Sequence, residues 1–152
     1  MTARTSIIKW SLGLWLAAIA SSVFAASATA GEAKFEAVLV WATNDDKSPD
    51  PSHKPVSEKL AKKLKDFKWT HYFEVARKDI SVKEKDDKRI PMSKDCTIVI
   101  KVLDKDQVEV TLIGKGKTVG TIKKELKKDG CLVTGGNATN STGWFIVIKR
   151  ME

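Results

Sequence analysis

Thr97-Ile-Val-Ile-Lys-Val-Leu-Asp-Lys-Asp-Gln-Val-Glu-Val-Thr-Leu112 decides the fold class of this chain. Its first part, Thr97 to Leu103, is rich in β-branched residues and reads as a central strand, apolar on both faces. Asp104-Lys-Asp106 breaks it with turn-forming residues, and Val108-Glu-Val-Thr-Leu112 then alternates apolar and polar with period two. Two such runs around a short polar break make an antiparallel hairpin.

The same grammar extends in both directions. Downstream, Gly114-Lys-Gly116 turns the chain into Thr118–Leu126, Lys127-Lys-Asp-Gly130 turns it into Cys131-Leu-Val-Thr134, and a Gly/Asn/Ser/Thr loop leads to Trp144-Phe-Ile-Val-Ile-Lys149. Upstream, His71–Arg77 and Ile80–Lys83 alternate, and Phe35-Glu-Ala-Val-Leu-Val-Trp41 is the first strand. It stops at Thr43–Ser52, where two prolines and four Asn/Asp residues forbid regular structure. One segment has a different period. Val56, Leu60, Leu64 and Phe67 recur at helical spacing, with Ser57 as N-cap, which predicts a helix over 57–66 packing those four residues onto a sheet. The fold class expected is therefore mainly β with one helix: an antiparallel β-sandwich or partly open barrel, preceded by an N-terminal signal helix.

That signal occupies residues 1–30. Arg4 and Lys9 precede an apolar run from Trp10 to Ala20, small residues follow, and no acid interrupts them. This is the order of a secretory signal peptide, with cleavage expected after Ala28 or Ala30. The apolar run is about half the roughly 20 residues a membrane-spanning helix needs. The domain organisation expected is a signal peptide over 1–30 and a single exported β-rich domain over 31–152.

The whole chain of 152 residues holds 27 Lys plus Arg against 19 Asp plus Glu. Without Arg4 and Lys9, 25 cations (27 less 2) face the same 19 acids, a net charge of +6. A basic balance suits polyanionic partners, yet three of those cations alone are Arg (Arg77, Arg89, Arg150), and Arg is the residue that reads bases and phosphates bidentately. The densest cluster is on the helix: Lys59, Lys62, Lys63, Lys65 and Lys68, interrupted by Glu58 and Asp66. These five are the candidate anion-contacting residues, and a solvated face is their simpler reading. No aromatic residues interleave them as they do in single-strand binders, so no specific nucleic acid is expected.

No catalytic, cofactor or metal motif emerges. Gly114-Lys-Gly-Lys-Thr118 ends like a phosphate-binding loop, but position 111 is Thr where that loop needs Gly, and a strand follows where it needs a helix. His53 and His71, with Asp45, Asp46 and Asp50, lack ligand spacing. Cys96 and Cys131 each enter a strand from a turn; in an exported chain they are a candidate disulfide if those strands are neighbours, and otherwise two buried thiols. Asn137-Ala-Thr139 and Asn140-Ser-Thr142 are sequons in a turn expected to remain unmodified. Trp41, Trp69 and Trp144 sit at strand ends, where aromatic rings line a groove or, more commonly, cap the core.

Blocks of the chain carry a resemblance: Leu39-Val-Trp-Ala-Thr-Asn-Asp45, Asp50-Pro-x-x-Lys-Pro-Val56, Leu60-Ala-Lys-Lys-Leu64, Phe67-Lys-Trp-x-x-Tyr-Phe-Glu-Val75, Met92-Ser-Lys-Asp-Cys96 and Gly135-Gly-Asn-Ala-x-x-Ser-Thr-x-Trp-Phe-x-Val147. Over roughly residues 35–149 it resembles a group of small exported bacterial proteins. The resemblance implies a bacterial envelope location, and it implies no activity, cofactor or site residue. The expected function is a non-enzymatic binding or assembly module, periplasmic or extracellular, whose partner is an envelope protein or polymer. A polyanion- or surface-binding role through the lysine face is the alternative, and an enzyme the third.

Overall fold

The computed structural model describes residues 31–152; the signal segment expected over 1–30 lies outside the described residues. In chain order the elements are β1 (Glu32–Thr43), β2 (Lys54–Pro55), α1 (Glu58–Leu64), β3 (His71–Lys83), β4 (Asp87–Pro91), β5 (Cys96–Val102), β6 (Gln107–Gly114), β7 (Lys117–Glu125), β8 (Cys131–Asn137) and β9 (Gly143–Arg150). They form two antiparallel sheets, one ordered β2-β3-β1-β9-β8 and the other β4-β5-β6-β7. The architecture is a two-sheet sandwich, not a closed barrel. Among the described residues no helix is long and apolar enough to cross a membrane.

The five-stranded sheet is covered on both faces. Phe35, Ala37 and Leu39 of β1, with Ile146 and Ile148 of β9, meet Ile98, Ile100, Val108 and Val110 of the second sheet in the main core. The alternate residues Val38, Val40 and Ala42, with Phe145 and Val147, turn the other way and meet Leu60 and Leu64 of α1, plus Trp69 and Tyr72. The layers are thus helix, sheet, sheet. Double burial is why Ala37–Ala42 of β1 and Trp144–Ile148 of β9 read as unbroken apolar runs, since a strand covered on both sides needs no polar face.

The hairpin that fixed the fold class is β5–β6, with a correction to its burial. Ile98, Ile100 and Val102 are buried, but Lys101 on the alternate face is exposed and Val99 half-buried. β5 is interior to its sheet and covered on one face only. Residues 71–83 form one long strand where two shorter ones were expected, and β4 had no counterpart in the sequence reading. A register shift between Leu39 and Val40 accommodates an extra residue in β3. Such a bulge bends the strand without ending it.

α1 is shorter than the expected 57–66, but its start is as read. Ser57 is the N-cap and accepts a hydrogen bond from the Leu60 amide. Leu60 and Leu64 are buried and Val56 is half-buried against the same cluster. Phe67 departs from expectation: it is 41% exposed, yet its ring centroid lies 4.5 Å from that of Phe145. The Tyr72 hydroxyl donates to the Leu64 carbonyl at 2.8 Å, satisfying a C-terminal helix group that α1 leaves free.

One end of the sandwich is closed by Arg150. Its guanidinium donates through Nη1 to the Leu126 carbonyl at 3.0 Å and through Nε to the Glu152 carbonyl at 2.9 Å, and lies 5.9 Å from the Phe35 ring centre. At the other end the sheets leave a gap.

Candidate functional site

The gap is a cavity of about 640 Å³, within the range of small-molecule sites. Its floor is the inner face of the five-stranded sheet. Trp41 of β1 and Trp144 of β9 are direct register partners, and Gly136 of β8 is in turn the partner of Trp144, so the three lie in one row across three strands. They share a face with Leu39 and Ile146, which point into the main core two residues away along each strand. The floor is therefore the core's own face, continued past the end of the sheet that covers it.

Gly136 bares part of that floor. A Cβ placed there meets nothing within 4 Å, and no positive φ accompanies it, so the backbone accepts any residue. Its neighbour Gly135 is the opposite case. A Cβ there would run into the Trp144 carbonyl and the Phe145 backbone, so glycine is required for packing alone. The walls come from turns of the second sheet: Ser93, Asp95 and Cys96 before β5, and Gly114 and Lys115 after β6. Lys115 (φ 48°) and Gly116 (φ 76°) both occupy the left-handed region, the geometry of a type I′ hairpin. The glycine-lysine segment is thus a turn at the cavity mouth. Trp41 adds a polar feature: its indole Nε1 is buried and has no hydrogen-bond partner among the described residues.

His53 also borders the cavity, in an arrangement that the sequence spacing did not reveal. Its Nδ1 is 2.7 Å from Ser48 Oγ, and its Nε2 is 3.7 Å from Asp50 Oδ2. Ser, His and Asp are the residue types of a nucleophile triad, but the geometry is not one. At 3.7 Å the carboxylate lies beyond hydrogen-bond range. Asp50 Oδ1 instead accepts from the Ser52 amide at 2.8 Å and the Ser52 hydroxyl at 2.7 Å, which hold its carboxyl below the ordinary carboxylate range. The cluster ties the loop between β1 and β2 together. His71 stands apart, exposed at the first residue of β3.

The two cysteines are not brought together. Cys96 opens β5, which pairs with β4 and β6, whereas Cys131 opens β8 in the other sheet. Cys96 packs against the core between the sheets and Cys131 against the helix-side core, so the five-stranded sheet separates them. Both are free thiols, and burial pushes both above the ordinary thiol value. No disulfide joins them, because they pack on opposite sides of the five-stranded sheet.

Lys59, Lys62, Lys63, Lys65 and Lys68 are all exposed, but they do not share one surface. Lys59 and Lys63 border a 140 Å³ groove beside Glu36, Arg77 and Lys149. Lys68 lies over the Trp69 ring, 4.8 Å from its centre. Arg77, the one guanidinium at the groove, is taken up by Glu36 and Glu74, each at 2.7 Å.

Of the tryptophans, Trp69 is buried and donates through Nε1 to the Ser141 carbonyl at 2.8 Å, so it caps the helix-side core. Trp41 and Trp144 line the cavity instead. No local signal separates them, because β1 and β9 bury residues of both parities. No protein-family model, curated protein or solved structure matches the chain.

Proposed function

We propose that this chain is an exported, non-enzymatic binding module of the bacterial envelope, and that the cavity floored by Trp41, Trp144 and Gly136 is its recognition site. The observation that carries the reading is the bare floor. Two large aromatic residues and a side-chain-free position continue a core face beyond the sheet that would cover it. Apolar surface left in a concave site is how small domains hold ligands. Its polar lining comes from the loops and strand ends, among them His53, Ser93, Asp95, Lys115, Asn137 and Thr139. Export rests on the leader read in residues 1–30.

The test has two arms. Intact mass of protein from the native host reports processing; an exported chain starting near Gly31 supports the reading, and a cytosolic chain starting at Met1 overturns it. Envelope extract fractions are then screened for quenching or shift of tryptophan fluorescence. The response should vanish in Gly136→Phe, which sets a ring on the bare floor, and survive Lys62→Glu with Lys65→Glu. A response with the reverse dependence, falling steeply with salt, makes the lysine face the binding surface and polyanion binding the function.

A further inference from the structure

The sandwich has four edge strands, and three of them carry devices that discourage pairing with another chain. β2 is two residues long and includes Pro55. β4, Asp87-Lys-Arg-Ile-Pro91, is charged and ends in proline. β7 presents exposed Lys117, Lys123 and Lys124, and a register shift breaks its ladder with β6. Short length, charge, proline and bulges are the means by which edges are protected.

β8 has none of these. Cys131-Leu-Val-Thr-Gly-Gly-Asn137 is uncharged, lacks proline, and keeps unbroken register with β9 over seven residues. Among the described residues its backbone pairs with β9 alone. A second observation falls on the same strand. The Trp41–Trp144 cavity lies on one face of β8, and a cavity of about 370 Å³ lined by Phe67, Trp69 and Phe145 lies on the other. Gly135, Gly136 and Asn137 line both. Successive side chains of an extended segment point to opposite faces, so a strand laid beside these residues would deliver consecutive side chains into the two cavities.

Charge identifies the other half of such a segment. Lys63 and Lys149 border the groove at Cys131, the first residue of β8. Lys149 is partly answered by Asp129 at 3.5 Å. Lys63 forms no ion pair among the described residues. The strand thus runs from a basic end to an apolar, aromatic end.

We infer that β8 is a docking edge for an extended peptide segment of a partner protein, which adds as a sixth strand, aromatic or aliphatic where it passes Gly135–Asn137 and acidic where it passes Cys131. Strand addition takes affinity from main-chain hydrogen bonds and specificity from pockets for alternate side chains. This rests on the cavity being the recognition site, and it adds a ladder that a small ligand would not use. A second copy of this chain is the weaker occupant, because each copy would bring its own lysines and its own bare aromatic floor.

The probe is an end-capped octapeptide with four aromatic or aliphatic residues followed by four that include three glutamates. A second peptide has the same side chains with alternate backbone nitrogens methylated, so that it cannot complete a ladder. The purified protein, as its host processes it, should bind the first and protect β8 amides from hydrogen exchange. Methylation should weaken binding by roughly tenfold or more, as should Gly136→Phe, each a loss of about 1.4 kcal/mol. Lys63→Glu with Lys149→Glu should weaken the acidic peptide and not a glutamine version. Equal affinity for the methylated peptide overturns strand addition while leaving a cavity-binding module intact. No binding of either peptide, with the tryptophan response to envelope extract retained, does the same. A concentration-dependent dimer that protects β8 amides without any peptide overturns the inference in favour of self-pairing.

Discussion

Truncating Leu64 to alanine tests the layer that the sheets alone do not supply. Leu64 is fully buried (0% exposed) in the cluster formed with Leu60, Val40, Tyr72 and Phe145. A buried Leu→Ala change costs about 2–5 kcal/mol, the spread reflecting how far the site collapses. The low end applies if α1 settles inward, and Tyr72 resists that by holding the Leu64 carbonyl. We therefore expect about 3 kcal/mol. With a urea dependence of about 1–3 kcal/mol per molar, the midpoint should fall by roughly 1–3 M, and Tm should fall by roughly 12 °C. α1 has seven residues, too few to be stable by itself, so losing this contact should loosen the whole helix. Equilibrium urea unfolding followed by tryptophan fluorescence measures it, with Lys63→Ala as the exposed control, expected within about ±0.5 kcal/mol. Coincident midpoints for the two variants would refute the face assignment and with it the three-layer description.

Other outcomes follow from single features. Gly116→Ala should cost about 1 kcal/mol, because a side chain there must adopt a positive φ although no atom obstructs it, whereas Gly120→Ala, equally unobstructed at ordinary φ, should be neutral or slightly stabilising; thermal unfolding of the pair decides. The hydrogen bonds from Arg77 hold the Glu74 carboxyl below its ordinary range. A depressed folded value contributes stability that is complete above the unfolded carboxylate value of about 4.3 and lost as pH falls through the folded one. Arg77→Met should therefore be less stable than wild type at neutral pH and converge with it in acid, as read from urea midpoints across pH. Alkylation of the unfolded protein without reductant should add two groups per chain, at Cys96 and Cys131, by intact mass.

The sequence was legible where one physical term dominated. Period two along Val108–Leu112 and period 3.6 through Leu60 and Leu64 gave β6 and α1, because burial of one face enforces each period. It misled where apolar content was taken for burial on both faces: the run at Ile98–Val102 has one covered face, while the true doubly covered strands, β1 and β9, looked no different. Periodicity does not report which strands a lone helix covers. β4 was illegible because Asp87, Lys88, Arg89 and Pro91 make a charged edge, a composition that also describes a loop. The cavity was half legible. Trp41 and Trp144 stood out, but their adjacency depends on register between strands about a hundred residues apart in the chain, which no local pattern encodes. The choice between a disulfide and two buried thiols stayed open in the sequence for the same reason, since two turn-to-strand positions look alike whichever sheet they enter.

The pairing of β1 with both β3 and β9 also sets a schedule. β1 lies in the interior of its sheet, and one of its two neighbours, β9, comes about a hundred residues later in the sequence. Until residues 143–150 are available, Val38 and Val40 face no β9, Phe145 is missing from beneath the helix, and Arg150 has not closed the far end. A nascent chain can assemble the local β4–β7 sheet early, but its larger sheet waits for completion, and pairings that bridge the full sequence are slow to form. For a protein whose proposed route crosses a membrane as an extended thread, this order of assembly keeps the larger sheet unmade until residues 143–150 are through.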